Sequence, residues 1–200
     1  QAAGMACVQA PLKLDQGRYG FDFEALEKLR GPDTRALLLC HPHNPSGRNF
    51  SLEELTRLLD FVKRRKLVVC SDEIWADWIL DDKAFIPFFD LGEEAQRLTV
   101  TLGAASKTFN IPGLGAAYAV VPDAVLRERF RACIKGLLPS PGYFGLQATT
   151  WVYEQGEEWF AGVKRLVLEN RRFAENYIAG HFPAVRVVPA EATYLLWLDF

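Results

Sequence analysis

The feature that most constrains the fold of this chain is an alternation of short apolar runs with one amphipathic helical pattern. Residues 36–40 form an unbroken apolar run between turn residues, which is typical of a strand buried on both faces of a sheet. Ser51 and Glu54 follow with the spacing of a capping box, and apolar residues then recur at helical intervals up to Val62. Residues 67–70 form a second buried run. Strand, helix and strand in this order predict a parallel βαβ unit.

Two more strands extend this unit along the chain. Residues 98–102 and 116–121 are apolar runs of strand length. Pro122 and Asp123 end the second run and open a helix that we expect to reach about residue 138. The order of elements therefore predicts a mostly parallel sheet with helices packed on both faces.

The C-terminal part of the chain has a different pattern. Residues 143–179 are mostly helical, in two pieces, and Gly180 is the expected end of the second piece. Two strands with no helix between them follow within residues 185–198. We predict an α/β fold with a three-layer α/β/α large domain over residues 1–179. Residues 180–200 would begin a small C-terminal α/β domain that is truncated here.

Composition excludes several classes of protein. Half of the 200 residues are hydrophobic, which is too many for a disordered chain, and the net charge of −2 gives no basic excess for nucleic acid. No apolar run approaches the roughly 18–20 residues of a membrane span. Four cysteines without a C-x-x-C pair predict reduced, buried thiols and no metal centre. We expect a cytoplasmic protein with no nucleic-acid or membrane partner.

Polar side chains follow three successive predicted strands. Asn44 comes after the first strand, Asp72 ends the second, and Lys107 comes after the third. Taken alone, these residues could be a turn asparagine, a helix cap and a solvated lysine. Ligands of open parallel sheets bind beyond the carboxyl ends of the strands, so the joint placement brings an amide, a carboxylate and an amine to one edge.

An amine and a carboxylate at such an edge suggest Schiff-base chemistry. A lysine amine condenses with an aldehyde only when it is unprotonated. Pyridoxal phosphate requires such a lysine, an acid beside its pyridine nitrogen, and donors for its phosphate. Lys107 and Asp72 suit the first two roles. The Asn44 amide can donate to the ring oxygen, and Ser106 with nearby backbone amides can hold the phosphate.

The motifs around these residues resemble a known family. Pro-His-Asn-Pro-Ser-Gly, Ser-Asp-Glu-Ile and Ser-Lys-Thr-Phe-Asn-Ile-Pro-Gly-Leu are similar to those of the fold-type I, class I/II aminotransferase superfamily, and in particular to its MalY/PatB branch of cystathionine β-lyases, or C–S lyases. The resemblance implies pyridoxal 5'-phosphate as cofactor, an amino-acid substrate and a homodimer. It implies that Lys107 carries the Schiff base, that Asp72 faces the ring nitrogen, that Asn44 binds the ring oxygen, and that Ser106 lies on the phosphate side.

Three positions depart from the family pattern. His41 stands where the lyase branch usually has asparagine. Trp75 stands where aminotransferases often place tyrosine and the lyases commonly have histidine; an indole can donate a hydrogen bond but cannot titrate. Trp75 remains a candidate cofactor contact. Gly115 replaces a phosphate-binding arginine that is common in aminotransferases, which favours the lyase branch.

The resemblance implies α,β-elimination on cystathionine or a related L-cysteine conjugate, giving a thiol, pyruvate and ammonia. An aminotransferase of amino acids and 2-oxo acids is the alternative with the same cofactor. A regulatory or protein-binding module that contacts a transcription factor is an alternative of another class. A nucleotide-binding Rossmann domain is disfavoured because no G-x-G-x-x-G follows a strand. The resemblance places the phosphate loop and the substrate-carboxylate arginine outside residues 1–200, so we expect this chain alone to be inactive.

Overall fold

The structure is a computed structural model that describes residues 4–29 and 31–200. Eight strands and six helices occur within these residues. In chain order they are β1 (Lys13–Asp15), β2 (Arg18–Gly20), α1 (Phe23–Leu29), β3 (Ala36–Cys40), α2 (Leu52–Arg65), β4 (Val68–Asp72), α3 (Glu93–Leu98), β5 (Thr99–Gly103), β6 (Tyr118–Val120), α4 (Ala124–Ile134), α5 (Tyr143–Gln155), α6 (Glu157–His181), β7 (Arg186–Val188) and β8 (Trp197–Asp199). Two short 3₁₀ helices span Phe88–Leu91 and Pro112–Leu114.

The central sheet has four strands in the order β3-β4-β5-β6. The first three strands pair in parallel, with Cys40 opposite Asp72 and Asp72 opposite Leu102. β6 pairs with β5 in the antiparallel direction at the edge. The chain between them forms only turns and a 3₁₀ helix, so no helical crossover carries β6 back to a parallel position. The predicted α/β fold with a mostly parallel sheet is confirmed.

The N-terminus of α2 forms the predicted capping box. The Glu54 amide donates to Ser51 Oγ at 3.3 Å, and the Ser51 amide donates to Glu54 Oε2 at 2.8 Å. Two backbone donors that the helix cannot satisfy internally are thereby paired. At the C-terminus, Lys66 adopts a left-handed conformation with φ of 53° and ends the helix.

The main core lies between α2 and one face of the sheet. Buried side chains of α2 pack there against Leu39 of β3 and Val69 of β4. Side chains alternate between the two faces of a strand, so Leu38 points to the other face, where 73% of it is exposed. The sheet and α2 therefore form two of the three predicted layers. On the opposite face of the sheet, the apolar side chain of Leu38 is exposed.

The two-piece helical pattern after residue 142 is confirmed, since α5 and α6 break at Gly156. α4 is shorter than expected and ends at Ile134, because the following turn contains Gly136 with a φ of 79°. Gly180 does not end its helix. It lies inside α6, and the Phe182 amide still donates to the Ile178 carbonyl at 2.8 Å.

β7 and β8 pair as an antiparallel two-stranded ribbon, as the two strands without an intervening helix suggested. The division into residues 1–179 and 180–200 stays a prediction. Among the described residues, no helix combines the length and the apolar character that a bilayer span requires.

All four cysteines are free thiols, but none of them is fully buried. Cys7 and Cys133 are exposed, and Cys40 and Cys70 are half-buried. The prediction of buried thiols was wrong because Cys40 and Cys70 lie on the same sheet face as the exposed Leu38.

Candidate active site

The carboxyl ends of β3, β4 and β5 lie side by side at one edge of the sheet. Two backbone hydrogen bonds continue the pairing just past the strands: the His41 amide donates to Asp72 O, and the Glu73 amide donates to Leu102 O, both at 2.9 Å. The loops that carry Asn44, Asp72 and Lys107 therefore leave the sheet next to one another, as the sequence predicted.

Lys107 lies in a tight turn directly after β5. The Phe109 amide donates to Ala105 O at 2.9 Å, which coils the backbone around the lysine. Lys107 and the preceding Ser106 are both half-buried. The Trp78 indole N–H donates to Lys107 O at 2.8 Å, so the lysine backbone is fixed by the neighbouring loop after β4.

A second bond joins these two loops. The Thr108 hydroxyl, which is buried, donates to Asp77 Oδ2 at 2.6 Å. Asp77 thus ties its own loop to the loop that carries Lys107.

Asp72 is the last residue of β4 and is half-buried. Its side chain alternates away from the α2 core to the face that carries Cys40 and Cys70. Burial raises the pKa of both thiols, and the negative charge of Asp72 adds to that increase. The Ile74 amide donates to Asp72 Oδ1 at 3.3 Å. The carboxylate therefore stands at the strand end with one short-range backbone partner.

Asn44 is exposed in the turn after β3. The turn is held by the His43 amide, which donates to Arg48 O at 2.8 Å, and by a 2.8 Å hydrogen bond between His43 Nδ1 and Ser46 Oγ. His43 therefore braces its own turn. The Asn44 backbone amide approaches Cys40 Sγ at 3.5 Å, which ties the turn to the end of β3.

Trp75 forms a wall beside the lysine. The indole is 2% exposed, and Lys107 Nζ lies 5.6 Å from the centre of its ring. The ring of Tyr194 meets Trp75 edge-on with centroids 4.6 Å apart. The Trp75 indole can donate a hydrogen bond but cannot exchange protons as a histidine could, so this side of the amine is bordered by an apolar ring.

The other two departures from the family pattern have structural explanations. His41 is fully buried, burial lowers its pKa to about 4, and its Nε2 lies 3.1 Å from Ile86 O. The neutral ring therefore belongs to the core. Gly115 adopts the left-handed region with φ of 59°, a conformation that favours glycine over arginine.

The sequence did not single out Glu73 as a titrating group. Only 6% of this residue is exposed, and its Oε1 accepts hydrogen bonds from Ser71 Oγ at 2.7 Å and the Phe88 amide at 3.0 Å. Burial raises the pKa of Glu73 to about 7, with a further contribution from the charge of Asp72. The sequence indicates a raised pKa for Glu73 only in part, because an acid directly after a buried strand has limited access to water.

Taken together, the edge offers an amine, a carboxylate, an amide and a hydroxyl around an aromatic wall. This set fits an aromatic cofactor that carries an aldehyde, a ring nitrogen and a phosphate, since the edge offers a side chain of suitable chemistry for each of those groups. Among residues 4–29 and 31–200, no cluster of three or more His, Cys, Asp or Glu side chains could hold a metal ion.

Comparison with known proteins identifies the family of this chain. The model of the family described as aminotransferase class I and II matches residues 1–200. The chain belongs to this family. Cystathionine β-lyase PatB of Bacillus subtilis is 36% identical over 199 residues, which are 98% of this chain and 51% of that protein. The chain therefore spans about half the length of this curated relative.

Two solved structures show the same fold. The crystal structure of OvoB superposes with a TM-score of 0.93 at 35% identity, covering 99% of this chain and 52% of that one. Cystalysin from Treponema denticola, whose structure contains pyridoxal 5'-phosphate, superposes with a TM-score of 0.91 at 32% identity, covering 96% of this chain and 50% of that one.

The raised pKa of Glu73 predicts a pH-dependent loss of stability. The folded protein binds more protons than the unfolded protein between about pH 4.5 and pH 7, so the free energy of unfolding falls as the pH rises through this range. Glu73→Gln removes this contribution. Between about pH 5 and pH 8, the free energy of unfolding of the wild type should fall by up to about 3 kcal/mol more than that of the variant. Urea unfolding of the complete protein measures this difference.

The exposed Glu93, which pairs with Arg97 at 3.1 Å, provides the matched control. Glu93→Gln should follow the wild-type pH dependence. If the free energies of unfolding of the wild type and of Glu73→Gln changed with pH in parallel, the pKa of Glu73 would not be raised.

Proposed function

We propose that the complete protein is a pyridoxal-phosphate-dependent C–S lyase that acts on cystathionine or a related L-cysteine conjugate. The observation that carries the proposal is the edge of the sheet where Asn44, Asp72 and Lys107 leave adjacent strands beside Trp75. The names of PatB and cystalysin, together with the cofactor in the cystalysin structure, support the same chemistry.

Each residue has a role set by its chemistry. The amine of Lys107 would hold the cofactor aldehyde and, as a free base, would take the proton from the substrate Cα. The bound cofactor supplies an acceptor for the electrons left at that carbon. Asp72 holds a proton on the ring nitrogen, and the Asn44 amide donates to the ring oxygen. Ser106 donates its hydroxyl toward the phosphate, and Trp75 covers one side of the amine.

The reaction breaks the bond between Cβ and sulfur of the substrate. The thiol leaves, and hydrolysis of the remaining three-carbon fragment gives pyruvate and ammonia. Trp75 is buried, and its ring lies 5.6 Å from Lys107 Nζ, so the indole would shield one side of the amine from water during these steps.

The second candidate is an aminotransferase, which the family itself favours. Gly115 bears on the choice, because its left-handed backbone is strained for the arginine common in aminotransferases. Product analysis separates the two activities: cystathionine yields pyruvate with a lyase, whereas an amino acid with a 2-oxo acid exchanges its amino group with a transferase.

The proposal includes a homodimer in the cytoplasm and a boundary between the large and small domains at residues 179 and 180. It includes a small-molecule amino-acid substrate and no nucleic-acid or membrane partner. Light scattering of the complete protein tests the dimer directly.

Lys107→Ala should abolish turnover and the visible absorbance of the bound cofactor. The amine is required both for the covalent bond and for proton removal, so the rate constant for cystathionine cleavage should fall by at least about 10³-fold. Absorbance spectra and a pyruvate assay of the complete protein measure the two effects. Lys28→Ala, at an exposed lysine of α1, should leave both unchanged. A wild-type spectrum in Lys107→Ala would refute the assignment of the lysine.

Asp72→Asn should retain the cofactor and slow proton removal. An amide cannot hold a proton on the ring nitrogen as a carboxylate does, so deuterium exchange at the substrate Cα should slow by about 100-fold or more. Nuclear magnetic resonance in deuterated water measures this exchange. Asp60→Asn, on the exposed side of α2, is the control. Near-native exchange in Asp72→Asn would contradict the role given to Asp72.

A further inference from the structure

A fully buried arginine lies beside the candidate active site and has no part in the chemistry proposed above. Arg48 follows the Asn44 turn, and 1% of its side chain is exposed. Removing a guanidinium from water is costly unless its donors are paired and its charge is balanced. The residues that pair with Arg48 therefore show which parts of the chain this buried charge holds together.

Arg48 binds three parts of the chain. Its Nη2 donates to both carboxylate oxygens of Glu54, at 2.6 and 2.8 Å, and its Nη1 donates to Glu191 Oε2. Its Nε donates to the carbonyl of Tyr19. We name Arg48, Glu54 and Glu191 the clamp. It joins the start of α2 to a residue 143 positions beyond Arg48.

Glu191 is saturated by further donors. The Asn49 amide donates to its Oε2 at 3.0 Å, and Arg18 Nη2 donates to its Oε1 at 2.6 Å. Hydrogen bonds to a charged acceptor are stronger than neutral ones. The side chain of Glu191 is thus held from several directions.

The backbone around Glu191 is bound to both loops of the site. The amides of Glu191 and Ala192 each donate to Gly47 O at 2.8 Å, next to the Asn44 turn. The Thr193 amide donates to Trp78 O at 2.8 Å. Residues 189–194, which we name the clamped segment, therefore bridge the loop after β3 and the loop after β4.

Gly47 allows this close approach. It has a φ of 66°, and a Cβ at this position would collide with the side chain of Ala190. The glycine of the Pro-Ser-Gly turn is thus required by the contact with the clamped segment as well as by its own backbone conformation.

The clamped segment delivers Tyr194 to the aromatic wall. The tyrosine ring meets Trp75 at 4.6 Å and Trp78 at 5.1 Å between centroids, both edge-on. Trp75 in turn lies 5.6 Å from Lys107 Nζ. Tyr194 itself is 42% exposed, so part of this residue is uncovered on the far side of its contacts with Trp75 and Trp78.

We propose that the ion pair of Arg48 with Glu191 positions Tyr194, and that the exposed ring of Tyr194 borders the space where the substrate binds beside Lys107. Arg48 and Glu191 are positioning residues, and Tyr194 is the residue that meets the substrate. The part of this inference that concerns the substrate rests on the proposed function. The part that concerns the clamp does not.

Hydrogen–deuterium exchange tests the clamp without reference to activity. In the complete protein, Glu191→Gln removes one of the two carboxylate charges that balance Arg48, the one that belongs to the clamped segment. The peptide containing residues 189–195 should then exchange at least about tenfold faster. Glu93→Gln, at an exposed ion pair, should leave that peptide unchanged. Unchanged exchange in Glu191→Gln would overturn the clamp.

Steady-state kinetics test the link to the site, using whichever of cystathionine or an amino acid with a 2-oxo acid the wild type turns over. Glu191→Gln and Tyr194→Ala should each raise KM about tenfold and change kcat less than about threefold. Because Glu191 acts through Tyr194, the double variant should be no worse than Tyr194→Ala alone. A purely structural role would lower the melting temperature without raising KM more than it changes kcat.

Each remaining outcome decides a separate point. Unchanged KM in Tyr194→Ala, or effects that multiply in the double variant, would overturn the positioning role. If Glu191→Gln fails to fold, Tyr194→Ala still tests the contact with substrate, since its ring is partly exposed. A wild type that turns over neither substrate would refute the proposed function. Hydrogen–deuterium exchange alone would then test whether the clamp holds residues 189–194 in place.

Discussion

The parallel pairing of β3, β4 and β5 is the constraint on which the candidate active site depends. Parallel strands in register deliver their carboxyl ends to one edge, so Cys40, Asp72 and Leu102 lie across from one another. Polar residues placed just after those strand ends become neighbours although they are far apart in sequence. The α2 core stabilises this pairing by burying one face of the sheet.

Pairing alone fixes where the loops begin, and specific contacts fix where they go. The Trp78 indole holds the Lys107 backbone, and Thr108 holds Asp77, so the loops after β4 and β5 form one unit. The clamp adds the loop after β3 to that unit. Rigid support of this kind is what a site that must orient an amine, an acid and a substrate requires.

Local patterns predicted much of this arrangement. The capping box of α2, the parallel strands and the placement of Asn44, Asp72 and Lys107 at strand ends follow from short-range rules and from the chemistry of strand ends. The expectation that β3 is buried on both faces was wrong, since Leu38 is 73% exposed. The ion pair of Arg48 with Glu191 could not be predicted, because no local rule relates residues 143 positions apart. The hairpin of β1 and β2 was missed as well; its strands have three residues each, too few for an alternating pattern.

The central claim is that the amine of Lys107 carries the cofactor. Borohydride reduces the bond between a lysine amine and an aldehyde to a stable one, so the attachment survives proteolysis. Mass spectrometry of the reduced and digested complete protein should find the added mass of pyridoxal phosphate on the peptide that contains Lys107. The same mass on another lysine, or an unmodified Lys107 peptide in protein that absorbs visible light, would contradict the account.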